Sequence, residues 1–240
     1  MSGRCLAIIP ARGGSEGIPK KNITPLAGKP LLAWTVESAM RSDCLDRIVV
    51  STDDPEIAEV ALRLGVEIPY IRPKELAQDD TPGILPILHA AEWLEMNEDY
   101  RADFILCLQP TSPLRTAEDI DAAMHLVLQK NADAIVSVTP VECHPYWMKR
   151  IDKTGHMHDL ISLETPITRR QDLPAVYSLN GAVYLARWSI LLELRTWYTG
   201  NTIAFVMPRE RSLEIDSSWD LYLAELILKN REKHESDQNC

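Results

Sequence analysis

Three glycines, an arginine and two adjacent lysines fall within Pro10-Ala11-Arg12-Gly13-Gly14-Ser15-Glu16-Gly17-Ile18-Pro19-Lys20-Lys21-Asn22. Residues of these types in one loop suit a polyphosphate. Glycines let backbone N–H groups close on phosphate oxygens, and Arg12 and Lys21 neutralise charge that grows on a departing pyrophosphate. The spacing is neither Gly-x-x-x-x-Gly-Lys-Ser/Thr nor Gly-x-Gly-x-x-Gly, so neither common nucleotide fingerprint applies. Gln109 ends a strand-like run before Pro110-Thr111-Ser112-Pro113, where a parallel sheet presents its ligand contacts. Asp216, ahead of Ser217-Ser218-Trp219, reads as a helix cap, which leaves its carboxylate able to take a metal. Arg72 and the pair Arg169-Arg170 read from composition alone as solvated surface charges. His156-x-His158 has a spacing for two metal ligands but no third nearby, and it follows Thr154-Gly155, so it is read as a polar turn.

These residues need elements to hold them. Residues 4–9 form an apolar run that stops at Pro10, as a buried strand feeding the glycine loop would. Leu32, Val36, Ala39 and Met40 predict a helix over Pro30–Arg41, and Arg47–Ser51 a second strand. Asp54-Pro55 caps a helix with the face Ile57, Val60, Ala61 and Leu64, stopped by Gly65. Asp53 and Asp54 are both assigned to that helix start. A strand at Val66–Ile71, a helix within Pro82–Asn97, a strand at Asp103–Leu108, a helix capped by Thr116 and a strand at Ala134–Val138 follow. This alternation predicts an α/β fold: a three-layer, mostly parallel, Rossmann-like sheet with helices on both sides. Between about 140 and 180 the prolines 140, 145, 166 and 174 break the rhythm and suggest an inserted hairpin, a candidate dimerisation arm. Strands at Ala182–Ala186 and Ile203–Val206 precede a helix from about Ser218, expected to bury Trp219, Tyr222, Leu223, Leu226 and Ile227. The polar tail from Arg231 is expected to fray. Trp34 and Trp93 are expected in or at the edge of the core.

At 240 residues, 45 % hydrophobic and 25 % charged, the chain suits one domain, 1–240, plus the arm. A formal charge of −10 argues against nucleic acid or an anionic membrane as partner. No apolar run approaches the roughly 20 residues that span a bilayer, and the start shows no signal layout, so a cytoplasmic protein is expected. The five cysteines are scattered with no Cys-x-x-Cys pair, which fits a reducing compartment better than a disulfide framework or a zinc ribbon.

Ala11-Arg12-Gly13-Gly14-Ser15-x-Gly17-Ile18-Pro19-x-Lys21-Asn22 resembles the signature of the acylneuraminate cytidylyltransferases, or CMP-sialic acid synthetases. The resemblance continues through Gly28-Lys29-Pro30-Leu31, Val50-Ser51-Thr52-Asp53, Arg72-Pro73-x-Glu75-Leu76-Ala77, Leu108-Gln109-Pro110-Thr111-Ser112-Pro113-Leu114-Arg115, Arg170-Gln171-Asp172-Leu173-Pro174, Asn180-Gly181-Ala182-Val183-Tyr184 and Ile215-Asp216. It implies attack by the anomeric hydroxyl of an acidic nine-carbon 2-keto-3-deoxy sugar on the α-phosphorus of CTP, giving a CMP-sugar and pyrophosphate. By resemblance, Ala11, Arg12, Gly13, Gly14, Ser15, Lys21, Asn22 and Arg72 hold the nucleotide, with Arg12, Lys21 and Asp216 as the catalytic set. Gln109, Arg170 and Asn180 meet the sugar. Asp216, with Glu214, ligates Mg²⁺ or Mn²⁺. The family arginine matched by Arg170 reaches the sugar of the neighbouring subunit, so a homodimer with shared active sites is expected.

Two positions depart from the family pattern. Glu16 stands where lysine is usual, and a like charge within about 4 Å of a phosphate costs on the order of a few kcal/mol at surface-like dielectric unless a cation intervenes. Glu214 stands where aspartate is common, its extra methylene shifting the oxygens by about 1.5 Å. The rival readings are a cytidylyltransferase for another acceptor (legionaminic or pseudaminic acid, Kdn, 8-amino-Kdo, or a phosphonate) and a CTP-binding protein that has lost turnover. The Kdo enzymes carry a loop with a second arginine that this chain lacks.

Overall fold

The computed structural model describes residues 3–15, 17–163, 165 and 167–238, with the backbone alone for 232–238. Glu16 lies outside the described residues. A six-stranded sheet runs in the order β10-β6-β9-β5-β1-β4. Its strands are β1 (Cys5–Pro10), β4 (Arg47–Ser51), β5 (Phe104–Cys107), β6 (Ala134–Pro140), β9 (Tyr177–Arg187) and β10 (Thr202–Val206). The pairs β1–β4, β1–β5 and β10–β6 are parallel. β9 runs antiparallel between β5 and β6. The short hairpin β2 (Pro25–Leu26) and β3 (Lys29–Pro30) leads out of the glycine loop into the first helix.

Alternation along β1 divides the core. Ala7 and Ile9 face a cluster with Leu32, Val36 and Ala39 of α1 (Leu31–Met40), Ile57 and Ala61 of α2 (Pro55–Arg63), and Ile120 and Val127 of α4 (Ala117–Lys130). Leu6 and Ile8 face the other layer, where α3 (Leu85–Glu98) supplies Ile87 and Leu94 and α5 (Trp188–Leu194) supplies Trp188 and Leu191. Trp34 and Trp93 pack at the core's edges. Met40, expected on the apolar face of α1, is 47 % exposed, because the helix ends there.

Other expectations are corrected. Val66–Ile71 is not a strand: its contacts with β4 and the residue that follows β4 reduce to two isolated bridges, Val49 with Glu67 and Thr52 with Ile71. Helix α6 (Ser218–Gln238) does not bury Trp219, Tyr222 and Leu226, which are 64, 52 and 42 % exposed. It packs through Ala224 and Leu228, supported by Leu221 and Ile227, against Ile18, Leu26 and Leu31. The segment from Arg231, expected to fray, continues α6 as helical backbone to Gln238. Between β6 and β9 the chain makes the hairpin β7 (Lys149–Ile151) and β8 (Met157–Asp159), as the proline-rich stretch suggested. No helix among the described residues is long and apolar enough to cross a membrane.

Candidate functional site

The glycine loop leaves β1 held on both sides. Ala11 N–H donates to the Ser51 carbonyl at 2.9 Å, and Gly13 N–H donates to Asp53 Oδ1 at 2.9 Å. Asp53 is therefore not a helix-start residue but a loop anchor. Only Asp54 caps α2, accepting from Glu56 N–H at 2.7 Å. A Cβ on Gly13 would stand 2.6 Å from Asp54 Oδ2, so this glycine exists for close approach. Further on, Asn22 is buried and its amide donates to the Arg12 carbonyl at 2.9 Å. Lys21 Nζ donates to the Ile215 carbonyl at 2.9 Å and meets Asp216 Oδ1 at 3.2 Å. The loop and the acidic segment are thus one unit, with the Gly17 backbone seated against the Asp216 carbonyl.

Arg72 is 3 % exposed, far from the surface charge its composition suggested. It donates to Ser51 Oγ at 3.0 Å and to the Ser51 carbonyl, which fixes it at the carboxyl end of β4. Burial pulls its pKa below the usual arginine range. Gln109 and Glu214 converge on Gly181, where a Cβ would lie 2.5 Å from Gln109 Oε1 and 2.9 Å from Glu214 Oε1. That glycine also has φ +66°, a left-handed conformation that costs other residues energy. Burial, and then the charge of Asp216, push the Glu214 carboxyl up; Lys21 and a Thr111 hydrogen bond offset this in part.

Together these groups line a cleft of about 680 Å³ at the carboxyl ends of β1 and β5. Arg12, Gly14, Ser15, Lys21, Asn22, Arg72, Gln109, Glu214 and Asp216 all reach it, while Ala11 and Gly13 lie behind the loop. Arg12 is paired across the mouth with Asp79 at 2.6 Å. Asp79 and Thr81, both in the lining, carry no motif that would have singled them out. Cys107 also lines the cleft, but burial pushes its thiol up to about 12, so it is not a thiolate at neutral pH.

Two predicted sugar contacts are placed elsewhere. Asn180 is 1 % exposed, and its amide is filled from within: Oδ1 accepts from Ser137 Oγ at 2.6 Å, and Nδ2 donates to Ser212 Oγ at 2.9 Å. It lies behind the cleft, with no group left over for a ligand. Arg170 sits in a short turn of the arm, beside a groove with His144 and Trp147 that is separate from the cleft of the same chain. His156 and His158 close on Asp152, at 3.8 and 3.1 Å, within the hairpin. Among the described residues no three His, Cys, Asp or Glu groups gather as a metal cage.

The family model described as Cytidylyltransferase matches residues 6–196. The chain belongs to the cytidylyltransferase family. This cytidylyltransferase is 34 % identical to the CMP-N,N'-diacetyllegionaminic acid synthase of Legionella pneumophila, over 94 % of its own chain and 97 % of that protein. It is 33 % identical to the N-acylneuraminate cytidylyltransferase of Streptococcus agalactiae over 90 % of its own chain, and spans 51 % of that longer relative. Its fold is also that of CMP:2-keto-3-deoxy-manno-octonic acid synthetase complexed with CTP, at a TM-score of 0.71 and 16 % identity, covering 95 % of this chain and 99 % of the other.

Proposed function

We propose that this chain transfers CMP from CTP to an acidic nine-carbon 2-keto-3-deoxy sugar of the sialic acid type, releasing pyrophosphate. The observation that carries the reading is the single cleft in which Arg12, Lys21 and Arg72 face Gln109 and the pair Glu214 and Asp216. A bond forms from the anomeric oxygen to the α-phosphorus as that oxygen gives up its proton to solvent water, and the bond from that phosphorus to the oxygen bridging it to the β-phosphate breaks, releasing pyrophosphate. The reaction needs alignment and charge neutralisation more than covalent help. Arg12 leaves Asp79 for the triphosphate, and Lys21 neutralises the departing pyrophosphate from a position fixed by the Ile215 carbonyl. Buried Arg72 forms the wall on the base and ribose side, and Gln109 meets the sugar.

Glu214 and Asp216 fit a hard divalent ion, Mg²⁺ or Mn²⁺. Burial and the charge of Asp216 raise the proton affinity of Glu214, so a cation would relieve the pair, and so small a set would leave ligand positions open. Held by Glu214 and Asp216, such an ion would supply charge neutralisation for the transferring phosphoryl group. The buried, unpaired Cys5, Cys44 and Cys107 support a cytoplasmic setting. We further propose that two chains form a homodimer in which Arg170, with its planar fork, supplies the partner's site with a contact for the sugar carboxylate.

The test is pyrophosphate release from CTP and Mg²⁺ with N-acetylneuraminate, N,N'-diacetyllegionaminate and pseudaminate in parallel, using the parent, Glu16→Lys and Asp216→Ala. Release with one acid, lost in Asp216→Ala, supports the reading and names the acceptor. Silence with all three acids that Glu16→Lys rescues identifies a disabled catalyst, and CTP binding without release from either protein overturns the reading.

A further inference from the structure

Where β5 ends, it parts from its antiparallel neighbour β9, and the cleft opens at that parting. The strands pair Cys107 with Tyr184. Carried two residues further, the same register would set Gln109 opposite Ala182 as ladder neighbours. They do not bond to one another. Ala182 N–H donates instead to Asn180 Oδ1 at 3.3 Å, and the Ala182 carbonyl accepts from Arg115 Nη1 at 2.6 Å. The same nitrogen reaches the Gln109 carbonyl at 3.3 Å. Arg115 Nη2 donates to Thr35 Oγ1 at 2.7 Å, and that hydroxyl passes a hydrogen bond on to the Gln109 carbonyl at 3.4 Å. A single guanidinium nitrogen therefore donates to two carbonyls, each of which a continued ladder would have paired with the N–H of the residue opposite.

Arg115 is an expensive residue to keep in this place. It is 3 % exposed, and no carboxylate among the described residues lies within ion-pair distance of it. Asp119, whose charge acts on it through space, is hydrogen-bonded instead by Arg211 Nε and Nη2, each at 2.8 Å. Burial lowers the Arg115 pKa to about 10, so it remains a cation at neutral pH. A desolvated cation without a counter-ion lowers stability. Apolar packing would close the gap with less penalty, and what the fork alone can do is hold several carbonyls at fixed separations.

We propose that Arg115 is a positioning residue for the acid-sugar acceptor: a wedge that keeps β5 and β9 apart and thereby aims the Gln109 side chain into the cleft. The inference rests on the reading that Gln109 meets the sugar. It also separates the two substrates. Arg12, Lys21 and Arg72 are set by β1, β4 and the Glu214–Asp216 segment, whereas the Arg115 fork donates to the Gln109 and Ala182 carbonyls and to Thr35, and to none of those three residues' anchors. Loosening it moves the acceptor contact and leaves the nucleotide contacts in place.

The experiment compares Arg115→Lys, which keeps a cation but loses the fork, and Arg115→Met, which keeps most of the volume, with Gln109→Ala and the double variant Gln109→Ala/Arg115→Met. Steady-state kinetics use whichever of N-acetylneuraminate, N,N'-diacetyllegionaminate and pseudaminate gives the fastest pyrophosphate release. CTP Kd by calorimetry and a thermal melt accompany each variant. The expected result is an acceptor KM raised by about tenfold or more in both Arg115 variants, the loss that a small misplacement of a contact produces. CTP Kd stays within about twofold of the parent, and the double variant is no worse in acceptor KM than Gln109→Ala, because both changes act through one contact. A lowered melt with an unchanged acceptor KM, or CTP binding weakened in parallel, overturns the wedge. If Gln109→Ala raises the acceptor KM and the Arg115 variants do not, the wedge alone fails. If Gln109→Ala is silent, the sugar reading of Gln109 fails and takes the wedge with it, as does silence of the parent with all three acids. Should Arg115→Met not fold, Arg115→Lys decides on the same readouts.

Discussion

Glu214 is half-buried beside Asp216, and burial and that neighbouring charge both raise its pKa above the ordinary value of 4.5. Between 4.5 and the raised value, the folded chain holds a proton that the unfolded chain has released. Stability therefore falls as pH rises through that window, and the deficit persists above it. Glu214→Gln, neutral throughout, is expected to melt higher than the parent at neutral pH, by about 2–4 °C, the shift that about 1 kcal/mol gives a chain of this size. The advantage should shrink as pH falls and vanish below 4.5. The same variant should lose the extra stabilisation that Mg²⁺ with CTP gives the parent. A Glu214→Gln protein that melts lower at neutral pH would mean that the carboxylate is well solvated and that burial is not what strains it. At this scale the sequence shows side chains whose type already states their use: Arg12, Lys21 and Gln109 all reach the cleft. Asp53 and Arg115 were not legible as anchors, because an acid near a helix start and an arginine after a turn acquire their roles only from carbonyls and N–H groups far away in the chain.

Helix α4 begins at a capping box: Thr116 Oγ1 accepts from Asp119 N–H at 3.4 Å, and Asp119 Oδ2 accepts from Thr116 N–H at 3.1 Å. The same Asp119 receives the Arg211 fork, which anchors the turn leading to Glu214 and Asp216. The two roles can be separated. Thr116→Ala removes the cap and is expected to cost about 1 kcal/mol, lowering the melt by about 2–4 °C with kinetic constants unchanged. Asp119→Ala also releases Arg211 and should raise the Mg²⁺ concentration needed for half-maximal rate. Melts and metal titrations on both variants check this, and equal metal requirements would show that the fork does not position the acid pair. Caps were legible in the sequence at Thr116 and Asp54 because a cap involves residues only two or three apart. The antiparallel course of β9 was not, since an apolar strand reads the same in either direction and only its neighbours decide. Nor was the buried face of α6, whose apolar residues occupy more than one side; the choice of Ala224 and Leu228 is made by Ile18, Leu26 and Leu31 elsewhere in the chain.

The arm between β6 and β9 leaves apolar surface without cover. Ile151 and Met157, paired across its hairpin, are each 71 % exposed, and Tyr177 and Leu179 of β9 are 47 and 50 % exposed. Arg170 rides on the same arm, away from the cleft of its own chain. Exposed apolar groups at one end of a molecule are a reason to associate, and an isologous pairing brings each arm to the other subunit. If each site takes Asp216 from one chain and Arg170 from the other, inactive chains should complement. Arg170→Ala and Asp216→Ala proteins are each expected to be nearly inactive alone. After mixing and subunit exchange, half the dimers carry one of each, and each mixed dimer contains one site with both residues intact. Activity should therefore rise to about a quarter of the parent value, a figure fixed by two-fold symmetry. Ile151→Asp in both chains should abolish the recovery by opposing association, with monomers seen in sedimentation. Recovery that never exceeds the sum of the two separate proteins would mean that Arg170 serves no neighbouring site, and the arm's exposed face would then need another occupant.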